Sequence, residues 1–322
     1  MSSNAPVIAA VDGSEHSLVA LQWARGAALR HGAELLIAHV LPDHAQLYAG
    51  RRASLHDARQ PDEFADPVGD WVRGVLGTGP ALPEGVRYES LEGSVPEALR
   101  VIGSGALMLV MGSRGRGGFA SLLLGSSSRA VASTAPCPVV VVPHAERHTA
   151  AANAAATATT APEPSAGRVV LGLHAAETPD DVLSFAFAEA AVRGTTVQVV
   201  SAYTVPPAPA LVIDRPFEVI PPEGLADEGD AVPAEREMLR SQTERLAPLR
   251  TRYPDVPVEQ AAVPGDAAGR LVDASRSAAL VVVGRHHPRR TAMSLQIGSV
   301  AHAVLHHAHG PVAIVPTLKD DV

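Results

Sequence analysis

The stretch GSRGRGGFASLLLGSSSRA, residues 112–130, has the make-up of an anion-binding loop. Gly112, Gly115, Gly117 and Gly118 carry no Cβ, so the backbone there can approach a ligand closely and adopt positive φ. Gly125-Ser126-Ser127 then opens a helical pattern. A helix N-terminus presents unpaired N–H groups and a partial positive charge, both of which favour phosphate. Arg114 and Arg116 add guanidinium groups for charge-assisted hydrogen bonds. Asp12, after an early apolar run, is the carboxylate that stands out as a partner for this loop; it suits either Mg²⁺ or a ribose hydroxyl, and the sequence does not choose. There is no G-x4-G-K-S/T and no G-x-G-x-x-G after the first apolar run, which excludes a Walker loop and the dinucleotide fingerprint. Ser14 and Ser126–Ser128 lie outside any G-x-S-x-G, so a serine hydrolase has little support.

The elements around these residues follow from periodicity. Val7–Val11 reads as a short buried strand, and Leu35–Val40, Val86–Leu91, Leu107–Met111 and Val139–Val142 as the second to fifth strands. Between them, Leu18, Leu21, Ala24 and Ala28 recur at helical spacing, with Ser14 or Ser17 as cap and His31-Gly32 as the end. Val68, Trp71, Val72, Val75 and Leu76 give a second helix, Pro96–Ser104 a third and Ser126–Ser133 a fourth. Alternating strands and helices predict an α/β fold, a five-stranded parallel sheet with helices on both faces. In such sheets ligands bind beyond the carboxyl ends of strands where the winding reverses. That rule puts Asp12 opposite the glycine loop, with Val40 at the end of the second strand nearby.

The pattern then repeats. VIAAVD (7–12) matches VVLGLH (169–174) at an offset of 162, and Leu21, Ala24 and Ala28 fall on Leu183, Ala186 and Ala190. Residues 93–112 match 265–284 at 172, and 125–143 match 298–316 at 173. Three ordered blocks establish a duplication: residues 1–143, a linker at 144–166 rich in Ala, Thr and Pro, and residues 167–322. Met238, Leu239, Leu246 and Leu249 mark the second helix of the second copy. Residues 42–62 and 203–233 read as polar, Pro-interrupted insertions, the second a candidate lid or partly disordered stretch.

The formal charge of −8 argues against a nucleic-acid or anionic-membrane binder. One cysteine, Cys137, excludes an intrachain disulfide framework and reads as a buried structural thiol between two prolines. No signal peptide or 18-residue apolar run is seen, so a cytoplasmic protein without a membrane span is expected. Only 3% of residues are aromatic, so the cores must be built from Ala, Val and Leu.

The spacing Gly112-x2-Gly115-x9-Gly125-Ser126 resembles the nucleotide pattern G-x2-G-x9-G-S/T of the universal stress protein family. VDGS (11–14) and APCPVVVV (135–142) resemble that family's first and last strands. The resemblance spans nearly the whole chain as a tandem pair. It implies a Rossmann-like fold of the adenine nucleotide alpha hydrolase type, cytoplasmic location, a role in stress response and dimerisation through the last strand. It also implies ATP, with or without Mg²⁺, as the ligand of its ATP-binding branch. Asp12 and Val40 then match residues near the adenosine, and Gly112, Gly115, Gly125 and Ser126 those around ribose and phosphates; Gly13 and Ser127 are adjacent candidates.

The second copy departs from this pattern. His174 replaces the Asp, His287 replaces the second glycine, and the loop is one residue longer; Gly284, Gly298 and Ser299 remain as a weaker second site. The cluster RHHPRR (285–290) reads as a solvated loop, with anion binding by charge as the alternative, and His302, His306, His307 and His309 lack neighbouring carboxylates or cysteines that would complete a metal site. The expected protein is an ATP-binding stress module with an unidentified protein partner. A slow ATPase and a nucleotide-free scaffold are the alternatives. The strands Val139–Val142 and Val312–Val315 are expected to pair edge to edge in an intrachain pseudo-dimer; pairing of two chains is left open.

Overall fold

Strands of four to seven residues, mostly Val, Ala, Leu and Ile at the inner positions and mixed with polar residues at the two edges, form the sheet of the computed structural model, which describes residues 5–41, 66–76, 82–115, 124–143, 167–203, 228–285 and 297–317. In the first half β1 (Val7–Ala10), β2 (Leu35–Leu41), β3 (Val86–Glu92), β4 (Met108–Gly112) and β5 (Val139–Val142) are parallel, in the order β3-β2-β1-β4-β5. The second half repeats this with β6 (Arg168–Gly172), β7 (Val197–Tyr203), β8 (Val258–Pro264), β9 (Ala278–Gly284) and β10 (Val312–Val315). As the sequence suggested, β5 and β10 pair, antiparallel, with Val140 opposite Ala313. One ten-stranded sheet results. The pairing consumes two strand edges that would otherwise lie open.

Helices cover both faces. α1 (Glu15–His31), α2 (Pro67–Leu76), α5 (Asp180–Arg193) and α6 (Glu228–Arg252) pack on one core, which takes Val7, Ile37 and Val110 from the sheet. α3 (Val95–Ile102), α4 (Ser126–Thr134), α7 (Ala267–Ala274) and α8 (Ser299–His307) pack on the other, which takes Ile8, Leu109 and Val141. Alternate residues of each strand thus serve opposite layers, as a sheet buried on both faces requires.

The ends of α1 show why it starts and stops where it does. Ser14 is its cap, accepting from the Ser17 N–H at 3.2 Å, while Ser17 is buried within the first turn. Gly32 closes it in the left-handed region at φ 59°. Other boundaries shift. β4 runs to Gly112 because Gly112 still pairs with Val142. α3 covers Val95–Ile102 rather than Pro96–Ser104, with Gly103 taking over at its end. The proposed 203–233 insertion is corrected at both ends: Tyr203 completes β7, and α6 begins at Glu228. The remainder of that insertion, the 42–62 insertion and the 144–166 linker lie outside the described residues. Among the described residues no helix is long and apolar enough to cross a membrane.

A second seam joins the halves where α1 meets α5. Glu189, only 1% exposed, accepts from His31 Nε2 at 2.7 Å and from Arg193 at 3.0 Å, and the Arg193 guanidinium lies 5.2 Å from the Trp23 ring. Burial alone would raise the Glu189 carboxyl pKa, but His31 and Arg193 outweigh it and hold it below the usual value of 4.5. A carboxyl depressed in this way stabilises the fold above the unfolded-state value, and that contribution is withdrawn as pH falls through the folded-state value. Glu189→Ala therefore lowers stability near neutral pH by about 3 kcal/mol in urea denaturation. Glu189→Gln flattens the loss of stability below about pH 4.5; an acid limb identical to the parent's would contradict this.

Candidate functional site

The strand order reverses between β1 and β4, and a cavity of about 500 Å³ opens beyond their carboxyl ends. The chain leaves β1 and β4 in opposite lateral directions, so the first turns of their loops part and leave a crevice. Asp12, Val40, Gly112, Arg114, Gly115, Gly125, Ser126 and Ser127 all stand on its wall. Gly13 is not on that wall; its φ of 78° makes the turn from β1 into α1. Arg116, Gly117 and Gly118 lie outside the described residues.

The glycines are spaced by what crowds them. A Cβ on Gly112 would sit 2.8 Å from the His16 carbonyl oxygen, so β4 and α1 touch backbone to backbone. A Cβ on Gly115 would fall 2.5 Å from Asp12 Oδ2. The carboxylate and the glycine loop therefore meet across the crevice, as their sequence positions implied. Asp12 accepts from the Ser14 N–H at 3.0 Å and the Ser14 hydroxyl at 2.6 Å, which fixes one of its oxygens.

Gly125 is the N-cap of α4, and having no side chain it offers no cap bond. The first backbone bond of this turn runs from Arg129 N–H to Gly125 O, so the amides of Ser126, Ser127 and Ser128 precede it. Ser128 Oγ donates to Gly112 O at 2.8 Å and Gly125 N–H to Ser113 O at 2.7 Å, tying the helix start to the end of β4. The opposite wall, with Ala38, Val40, Val95 and Leu99, is apolar. One end of the cavity thus suits an anion and the other a flat apolar group.

Beside this wall lies a polar cluster that the sequence reading did not pick out. Asp66 accepts from the Tyr88 hydroxyl at 2.5 Å, the Ser90 hydroxyl at 2.7 Å, His39 Nδ1 at 2.9 Å and the Val68 N–H at 3.0 Å. Burial works against its charge, but these bonds outweigh burial and hold the carboxyl at about 2. The cluster anchors the start of α2 to β2 and β3. The signal available was strand alternation: His39 follows Leu35 and Ile37 on the buried face of β2, and a buried imidazole needs a partner.

The second half keeps the backbone but changes the surroundings. Gly298 N–H bonds to Arg285 O at 2.8 Å, as Gly125 N–H does to Ser113 O. Gly298 caps α8 and Ser299 opens it. At Gly284, the counterpart of Gly112, a Cβ would meet Val182 and Pro179 at the start of α5 at 3.4 and 3.8 Å, a looser approach than that of Gly112 to α1. His174, where the first half has Asp12, is 62% exposed and lies 3.6 Å from Glu177. His287 is outside the described residues. Cys137 is buried, and burial pushes its thiol up to about 12, which suits a structural role. His302 and His306 stack with ring centroids 4.4 Å apart, and among the described residues no group of three or more His, Cys, Asp or Glu is placed to hold a metal ion.

The sequence pattern of the Universal stress protein family matches residues 4–143 and again 166–316. The chain belongs to the universal stress protein family. A universal stress protein of Mycobacterium tuberculosis is 32% identical over 310 residues, 96% of either chain. One of Mycolicibacterium smegmatis is 30% identical over 316 residues, again 96% of either chain. The crystal structure of a universal stress protein from Archaeoglobus fulgidus shares the fold, with a TM-score of 0.61 at 17% identity, over 98% of this chain and 99% of that one. Tandem universal stress protein domains therefore account for both the duplication and the sheet.

The crowding at the two glycines gives opposite expectations. Gly112→Ala meets backbone at His16 and costs about 1–3 kcal/mol in chemical denaturation. Gly115→Ala meets only the end of the Asp12 side chain, so it leaves stability within about 0.5 kcal/mol of the parent while displacing that carboxylate. Equal losses at the two positions would contradict this account of the loop.

Proposed function

We propose that the first half binds ATP and that the protein is a nucleotide-responsive stress module. The observation that carries this reading is the meeting, in one crevice, of the uncapped start of α4, the glycine loop and Asp12. The residues fit the ligand. Ser126 and Ser127 with their backbone amides, and Arg114 beside them, would hold phosphates. Asp12 would take the ribose or a Mg²⁺ carried in with the phosphates, and Val40 with its apolar neighbours the adenine. A cavity of about 500 Å³ falls in the ordinary range for a cofactor-sized ligand. The phosphates supply negative charge that the helix start and Arg114 stabilise; orientation comes from Asp12 and the apolar wall.

The second half is proposed as the silent partner, since an exposed His174 replaces Asp12 and His287 replaces the second glycine of a loop one residue longer. The sequence-based expectations of cytoplasmic location and of an unidentified protein partner fit a binding module of this kind. Hydrolysis ranks second: Asp12 is already engaged by Ser14, and a base or water-orienting group is what phosphoryl transfer to water needs.

Calorimetric titration of ATP tests the reading with Ser126→Glu as control. Ser126 is exposed at the first position of α4, where a carboxylate favours the helix but repels phosphate. The parent is expected to bind one ATP per chain. The variant is expected to lose at least about tenfold in affinity with an unchanged or raised melting temperature. Undiminished binding by Ser126→Glu, or none by the folded parent, sinks the proposal.

A further inference from the structure

The degenerate half sends one side chain into the other half's phosphate helix. Arg285 directly follows β9, at the position that Ser113 occupies after β4. Its backbone repeats the first-half pattern, with Arg285 N–H bonding to Val315 O as Ser113 N–H does to Val142 O, both at 2.9 Å. Its side chain does not. Arg285 Nη1 crosses the β5–β10 seam and donates to Ala135 O at 2.7 Å. Ala135 is the C-cap of α4 and is 1% exposed, so this is a charge-assisted bond to a buried carbonyl.

A helix end has carbonyls without intrahelical donors and a partial negative charge, which cations in the last turn offset. α4 has no basic residue in its own last turn, whereas α8, its counterpart, has His306 and His307. The cation that α4 lacks is therefore supplied by the second half. α4 has nine residues and is about 13 Å long, so its negative pole is never far from an anion at its start. Arg285 offsets that pole and holds the last turn in place, which keeps the Ser126–Ser128 amides aimed at the cavity.

We propose that Arg285 is a positioning residue for the phosphate site of the first half, acting through α4 from the half that has lost its own motif. This rests on the nucleotide reading above. It assigns the second half a role in binding: it completes the electrostatics of the helix that faces the phosphates. The ligand class it favours is accordingly phosphate-bearing nucleotides over nucleosides.

Titrations of ATP and of adenosine into the full chain, its Arg285→Ala variant and its Arg285→Lys variant test this. Arg285→Ala is expected to weaken ATP about two- to fivefold and to leave adenosine unchanged. Arg285→Lys, which keeps the charge, is expected to restore most of the ATP affinity. Arg285→Gln, which removes the charge but keeps a donor, serves if the alanine variant does not fold. It is expected to show the same selective loss. Equal losses for ATP and adenosine, or no loss, in a parent that binds ATP overturn the role of Arg285 alone. A parent that does not bind ATP overturns the nucleotide reading and this inference with it.

Discussion

Antiparallel pairing of Val139–Val142 with Val312–Val315 is the contact on which the remaining architecture depends. Each copy on its own would be a parallel sheet with an apolar last strand open to solvent. Pairing closes both edges at once, about a local two-fold between Val140 and Ala313. It also sets two further contacts, one on each face of the sheet. On one, α1 and α5 bring His31 to Glu189; on the other, Arg285 reaches Ala135. The halves are thus joined by a ladder through the middle and by side-chain hydrogen bonds on either side, His31 to the buried Glu189 and Arg285 to the buried Ala135 carbonyl. Leaving either buried acceptor without its donor costs more than the bond contributes net.

Within the first half, the reversal between β1 and β4 creates the crevice, and the glycines keep it open. Gly112 lets β4 touch α1, and Gly115 leaves room for Asp12. Gly125 starts α4 without a side chain to occupy its amides. In the second copy an exposed His174 stands where the first has Asp12, and Arg285, at the position of Ser113, reaches across the seam to the Ala135 carbonyl.

Much of this was legible in the residues. Short apolar runs marked the inner strands, because strands buried on both faces need no polar alternation, and the internal repeat marked the tandem arrangement; the edge strands β3 and β8 are partly polar and carry a weaker signal. The start of α6 was missed because its first turns, EGDAVPAERE, are polar and contain a proline, so no apolar spacing announces them before Met238. Asp66 was missed because its partners come from positions 39, 88 and 90, brought together only by β2 and β3. Glu189 could have been flagged: it lies three residues after Ala186 on the buried stripe of α5, where a carboxylate requires a cation. For Arg285 the solvated-loop reading of RHHPRR is corrected: its guanidinium binds a carbonyl 150 residues away, a contact no local pattern announces.

The central claim is that the two copies, equal in fold, are unequal in binding. Hydrogen exchange of the intact chain with and without saturating ATP reads both copies in one experiment. The account predicts slowed exchange at the amides of Gly115 and Ser126–Ser128, with those of Ser299–Ala301 unchanged. Matching protection at both helix starts, or protection confined to the second, would contradict it.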